Sequence, residues 1–226
     1  MIDKFFYLIW TAMLLIFWII LFIFRIDLKK EMLFMSIVGG IAGVIMEFFY
    51  TQDWWRPITV TGTLIGIEDF FQGFFVGGIA AIIYEGIYKK KIRAKKNNRL
   101  FLHAVVMLLV ANLLFLFSFY FLNLNSAYSS LIGMGFPIIY IWIKRRDLIK
   151  PSLVTGLLMT FIGAIIYSIL FLILPNYFQR FWFLPNTWYS YLILGIPLAE
   201  YMWFFLVGVF MGPLYEFWQE GRLVKK

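Results

Sequence analysis

Acidic residues recur at matching places in two apolar stretches of this chain. Ile65 to Gly77, followed by Tyr84-Glu85, aligns without a gap on Ile196 to Gly208, followed by Tyr215-Glu216. Asp69 thus matches Glu200, Phe74 matches Phe205, Gly77 matches Gly208 and Glu85 matches Glu216. Glu68 precedes Asp69, and Glu47 lies near the end of the preceding apolar stretch. Carboxyl groups inside membrane-like sequence are costly, and they mark functional positions. In a dry site shared by like charges, a carboxyl can keep its proton at neutral pH, which a general acid requires. Glu68, Asp69, Glu200 and Glu47 are therefore the candidates for proton transfer. Aromatic rings accompany them: Trp54, Trp55, Phe70, Phe71 and Phe74 in the first copy, and Trp182, Trp188, Tyr201, Trp203 and Phe205 in the second. Ring faces stabilise a passing cation, so acids among rings suit carbocation chemistry on an apolar substrate. Gln72, one turn from Glu68, is placed to orient it or to bind a polar ligand.

The elements that must position these groups are membrane spans. Of 226 residues, 63% are hydrophobic and 14% charged, against roughly 25% charged in an ordinary soluble domain. Apolar runs long enough to cross a hydrocarbon core use almost the whole chain and leave no room for a soluble catalytic domain. The predicted spans are Phe5–Phe24, Met32–Tyr50, Leu64–Tyr88, Leu100–Leu122, Tyr128–Ile143, Leu153–Leu174 and Leu192–Trp218. The fold class is all-α and integral to the membrane. Gly133, Gly135 and Pro137 make a break or kink in the fifth span an expectation. The first span lacks a small-residue cleavage site and is predicted to be retained.

Basic residues fall between the spans, where they set topology, so the net charge of +8 does not imply nucleic acid. One set of loops holds Arg25, Lys29 and Lys30, the run from Lys89 to Arg99, the group from Lys144 to Lys150, and Arg222, Lys225 and Lys226. The other set holds Lys4, Arg56 and Arg180. This asymmetry predicts an outside N-terminus and a cytoplasmic C-terminus. Absence of cysteine excludes disulfides and thiolate metal ligands.

The duplication reaches upstream of the acids. Arg25-Ile26-Asp27-Leu28 leads into the second span as Arg145-Arg146-Asp147-Leu148 leads into the sixth, and Gly43 falls on Gly163. Residues 1–90 and 126–220 are predicted to be two three-helix repeats, with a connector helix at 98–123 inside one membrane domain. An intervening helix makes the two units parallel rather than inverted. Glu85 and Glu216, sixteen residues beyond their partners, are expected to form ion pairs at the basic edge. Arg56 and Arg180 lie on the correct side to reach the outer acids. Trp54, Trp55, Trp182 and Trp188 read equally as interfacial anchors and as part of the site. His103 is expected at the interface, and Asn112 in an interhelical hydrogen bond. Gly73, Gly77, Gly78 and Gly208 suit close helix contact, and Pro197 suits a helix start. No phosphate loop, zinc spacing or nucleophile elbow occurs, so neither cofactor nor metal is predicted.

The acidic segments resemble those of the membrane-integral lycopene cyclase domain family, the small cyclases of heterodimeric bacterial, archaeal and fungal fusion types. Gly66-Ile67-Glu68-Asp69 and Pro197-Leu198-Ala199-Glu200 occupy the place of its Pro-x-Glu-Glu-like motif. Trp54-Trp55 and Trp188-Tyr189 fit its aromatic lead-in. Gly66 stands where the motif has proline, and Ala199 where it has its first carboxylate. The resemblance implies proton-initiated, redox-neutral cyclisation of a linear carotenoid or other polyene end. Glu68, Asp69 and Glu200 would then be donor and acceptor, with Glu47 in support. Trp203, Phe74 and Phe205 would line the cation. The implied partners are membrane lipid and an apolar polyene or isoprenoid, and a homo- or hetero-oligomer is compatible with them. Two other classes fit the same pattern: a SWEET-like carrier built from parallel three-helix units, and a non-catalytic isoprenoid-binding membrane protein.

Overall fold

The computed structural model describes residues 2–93, 99–185 and 187–225. Residues 94–98 of the basic run, and Lys226, lie outside the described residues. The chain folds as α1 (Ile2–Phe24), α2 (Lys29–Asp53), α3 (Ile67–Tyr88), α4 (Arg99–Tyr120), α5 (Ser126–Lys144), α6 (Ile149–Ile173), α7 (Tyr177–Phe181), α8 (Leu198–Met211) and α9 (Leu214–Trp218). Among the described residues, seven helical segments are long and apolar enough to cross a membrane, the last of them α8 and α9 together.

Packing repeats along the chain. Helix α2 lies on α3 as α6 lies on α8, α1 packs on α3 as α5 packs on α8, and the two units meet through α3, α6 and α8. The fold is a duplicated three-helix bundle joined by α4, which rests on α5 and α9.

Glycine sets the closeness of the α2–α3 crossing. A Cβ on Gly73 would sit 2.3 Å from the carbonyl oxygen of Gly39, and one on Gly77 would sit 2.6 Å from that of Met35. Such backbone contact requires small residues facing each other at four-residue spacing. Gly156 and Gly208 make the corresponding approach between α6 and α8.

Several boundaries differ from the sequence reading, each for a local reason. Helix α3 starts at Ile67 because Gly66 is extended and the Asp69 carboxylate accepts its N–H at 2.6 Å. This is half of a capping box. The stretch before α8 is a hairpin, β2 (Leu192–Ile193) on β3 (Ile196–Pro197), turned by Leu194 and Gly195 at φ 52° and 80°. Positive φ at both central residues is the two-residue hairpin geometry. Pro213 divides the last span into α8 and α9. The fifth span, in contrast, is one helix through Pro137. Its start is held by the Asn125 cap on the Tyr128 N–H at 3.1 Å and by Asp53, which accepts the Ser126 N–H and hydroxyl.

Two clasps close the ends of the bundle. At the acidic end, the chain after α2 pairs with the chain after α7: Arg56 N–H donates to Phe181 O at 2.7 Å, and Phe183 N–H to Trp54 O at 2.8 Å. At the basic end, β1 (Lys90–Arg93) pairs antiparallel with β4 (Arg222–Lys225). Here Arg25 binds Asp27 through two nitrogens and donates to the carbonyls of Glu85 and Lys90. Its counterpart Arg145 binds Asp147 at 2.8 and 2.7 Å and donates to Gly221 O. Each repeat thus pins the end of its own third helix with one Arg-x-Asp unit. Among the described residues, Glu85 and Glu216 form none of the expected ion pairs. These two buried acids lie near each other and near buried Glu31, and the Arg25 guanidinium that also acts on Glu85 and Glu31 is hydrogen-bonded to Asp27 and to backbone carbonyls.

Candidate functional site

The clasp at the acidic end carries three tryptophans inward. Trp54, Trp55 and Trp182 are 8%, 6% and 6% exposed and lie among the acids, while Trp188 is 47% exposed and donates to the Tyr128 hydroxyl. Of the four, only Trp188 has the exposure of an interfacial anchor.

A cavity of about 50 Å³ lies between the repeats, lined by Glu47, Asp69, Gln72 and Glu200 together with Trp10, Tyr50, Trp54, Trp55 and Trp203. Three carboxyls from three helices therefore share one pocket. Glu47 comes from α2, Asp69 from the first turn of α3, and Glu200 from the first turn of α8. A helix N-terminus is a favourable place for a carboxylate, so the last two sit where the backbone supports negative charge.

Their hydrogen bonding separates them. Glu200 accepts from Trp54 Nε1 at 2.9 Å, Trp182 Nε1 at 2.7 Å and the Tyr167 hydroxyl at 2.5 Å. The two indole N–H groups can only donate, so they fix Oε1 as an acceptor, and the hydroxyl lies on Oε2. Asp69 accepts from the Gly66 N–H at 2.6 Å and the Tyr7 hydroxyl at 2.5 Å. Tyr7 also lies 2.5 Å from the Gln72 side-chain oxygen. A phenol has one hydrogen, so both contacts hold together when the Gln72 amide is turned to present its NH₂. Glu47 is 3% exposed and lies next to Asp69, and its Oε1 has no hydrogen-bond partner among the described residues.

Glu68 is not brought into this pocket. It is buried against the loop before α3, where Oε1 accepts the Val60 N–H at 2.6 Å and Oε2 lies close to where a Cβ on Gly66 would be. Adjacent residues on a helix point about 100° apart, and here Asp69 takes the inward direction. Four of the predicted binding residues also lie elsewhere. Phe74 packs with Trp18 and Phe70 at 5.6 and 5.9 Å, Phe70 covers Gly40, Phe205 lies on Gly156, and the Tyr201 hydroxyl donates to Ile193 O at 3.0 Å. Arg56 donates to Thr51 O rather than to an acid, and Asn112 to Leu108 O of its own helix rather than across helices.

Tyr7, Trp10, Tyr50 and Tyr167 join the site without having been singled out from sequence. For Tyr167 the signal was present: four residues beyond the matched glycines, Gly43 leads to Glu47 and Gly163 leads to Tyr167. Aromatic packing then surrounds the acids on several sides, with Trp55 edge-on to Tyr7 and Trp10 at 5.0 and 5.3 Å, and Trp10 stacked on Tyr167 at 5.3 Å.

Fold and pocket together define a multi-pass, internally duplicated membrane protein with a shared intramembrane carboxylate site. A family model described as lycopene cyclase matches residues 4–87 and 125–218. These are the two repeats, and the chain belongs to the lycopene cyclase family. That membership supports a lycopene cyclase-like function. No curated protein and no solved structure matches the chain.

Proposed function

We propose that this chain cyclises the end group of a linear carotenoid or related polyene by proton transfer between Glu47 and Asp69. The observation that carries this reading is the unpartnered Oε1 of buried Glu47, which lines the same small cavity as Asp69. Quasi-symmetry supports a proton on Glu47. In the second repeat the equivalent position is Tyr167, whose hydroxyl donates to Glu200, the equivalent of Asp69. Glu47 thus stands where an O–H donor faces the carboxylate of the third helix.

The reaction then runs in three steps. Glu47 donates its proton to the terminal double bond, leaving a tertiary cation. The next suitably placed double bond attacks that cation, closing a six-membered ring and moving the charge into it. Asp69 removes a proton from the adjacent ring carbon, which creates the ring double bond. Asp69 returns a proton to Glu47, so atoms and charge balance over the cycle and no electron carrier is required. Glu200, fixed by its three donors, supplies a preorganised negative charge, and Trp10, Trp54, Trp55 and Trp203 present rings around the cation.

The positive-inside bias supports placing the β1–β4 end in the cytoplasm and the carboxylate pocket in the outer leaflet. Expression in bacteria that accumulate lycopene, followed by pigment separation, tests the proposal. Cyclised carotenoid is expected, whereas unchanged lycopene beside abundant membrane-inserted protein would contradict it.

A further inference from the structure

A second and larger cavity adjoins the acid pocket. It measures about 210 Å³ and shares Gly43, Tyr50, Gly73 and Trp203 with the smaller one, so these four residues are the wall between the two. From there it extends along the bundle toward Met211 and Leu214, with nearly all its wall apolar. The glycines that let α2 and α3 cross closely, Gly39, Gly43, Gly73 and Gly77, form one side. Leu108, Ala111 and Phe115 of α4 form the opposite side, although α4 lies outside both family-matched segments.

Helices α2 and α4 face each other across this space without packing together along their length; α2 lies on α3, and α4 on α5 and α9. They meet at the end nearer the acids, where Phe49 is edge-on to Phe115 and Phe119 at 5.1 and 5.5 Å. Beyond that contact, Ala42 of α2 and Asn112 of α4 both line the cavity and are both exposed.

We infer that this cavity is the binding chamber for the substrate, entered sideways from the bilayer between α2 and α4, and that α4 sets which polyenes fit. The inference rests on the cyclase reading for the identity of the ligand, an acyclic polyene hydrocarbon. Size fixes how the ligand lies. An apolar cavity of about 150 Å³ admits a benzene ring of six carbons, so this chamber of about 210 Å³ holds roughly eight carbons, close to the size of one cyclising end. The terminal double bond reaches the acids past Tyr50 and Trp203, and the remainder of a long polyene leaves through the α2–α4 opening into lipid. One end is therefore bound at a time.

The test uses the purified full chain in phospholipid vesicles with lycopene as the probe. A symmetric polyene acquires circular dichroism in its visible band only when held in a chiral site, which reports binding separately from turnover. Ala111→Phe fills the chamber from α4, and Ala42→Trp narrows the opening from α2. Leu113→Phe, on the outward face of α4 at 64% exposure, is the control, and Glu47→Gln blocks chemistry alone. The induced signal is expected for the natural chain, Leu113→Phe and Glu47→Gln, and is expected to fall at least tenfold in Ala111→Phe and Ala42→Trp, with loss of any cyclisation. Ala42 is exposed, so its variant decides the matter should Ala111→Phe fail to fold. A signal kept within twofold in the filled variants, or no signal from the natural chain, overturns the chamber. Binding that the filled variants abolish, in a chain that never cyclises lycopene, upholds the chamber and removes the cyclase reading instead.

Discussion

Glu47 and Tyr167 occupy equivalent places in the two repeats, four residues beyond Gly43 and Gly163, and each faces the carboxylate on the third helix of its own repeat. The duplication has therefore kept a side chain with an ionisable oxygen at this place while changing its type. In one copy it is a phenol, with its hydrogen committed to Glu200 at 2.5 Å. In the other it is a carboxyl whose Oε1, beside the cavity, has no hydrogen-bond partner among the described residues. The pocket between the repeats thus holds one acid anchored by three donors and, across from it, Glu47 and Asp69.

Tyr167→Phe removes one of the three donors to Glu200 and nothing else of the same shape. A buried hydrogen bond to a charged group contributes about 1.5–3 kcal/mol. Thermal unfolding in detergent should therefore shift several degrees lower, with cyclisation slowed but not abolished. Trp182→Phe, which removes another donor, should lower the transition similarly.

Glu68→Gln should be nearly silent in catalysis. The carboxamide oxygen still accepts the Val60 N–H, and the side chain faces the loop before α3 rather than the pocket. Cyclisation within about threefold of the natural chain is expected from initial rates at matched protein. A neighbouring Asp69→Asn should lose about 10²-fold or more, the usual weight of a general base.

Gly73→Ala tests the α2–α3 crossing. Its Cβ would meet the Gly39 carbonyl at 2.3 Å, a backbone atom that no side-chain rotation can move away. Overpacking of this kind costs about 1–3 kcal/mol, and here it also pushes Asp69 and Glu47 apart. Lower membrane yield, a depressed unfolding temperature and reduced turnover should appear together.

Because the chamber holds one polyene end, both ends cannot cyclise in a single binding event. A time course with lycopene should show monocyclic product rising before bicyclic product, and dilution of the protein should prolong that interval. Simultaneous appearance of bicyclic product from the first time points would contradict one-ended binding.

Much of this architecture was readable from residues alone. The seven spans, the gathering of basic residues at one end and the pairing of Asp69 with Glu200 all rest on composition and direct alignment. So did three of the acids now found around one cavity. What escaped depended on direction and on loops. Glu68 and Asp69 are adjacent, and only the capping interaction with Gly66 settles which one turns inward. Trp54, Trp55 and Trp182 lie between predicted spans, where tryptophan ordinarily marks an interface. Their burial comes from strand-like pairing between two loops more than 100 residues apart, which no local pattern announces. Tyr7 lies in a helix whose apolar residues cover most of its faces, so nothing in its spacing distinguishes the one hydroxyl that reaches Asp69.

The most direct measurement is the initial rate of lycopene cyclisation by Glu47→Gln in vesicles, beside the natural chain and with lycopene binding followed in parallel. A glutamine keeps the shape of the side chain but cannot deliver the proton. The account predicts a rate lower by about 10²- to 10⁴-fold with binding unchanged. A rate within threefold of the natural chain would show that Glu47 is not the donor and would contradict the central claim.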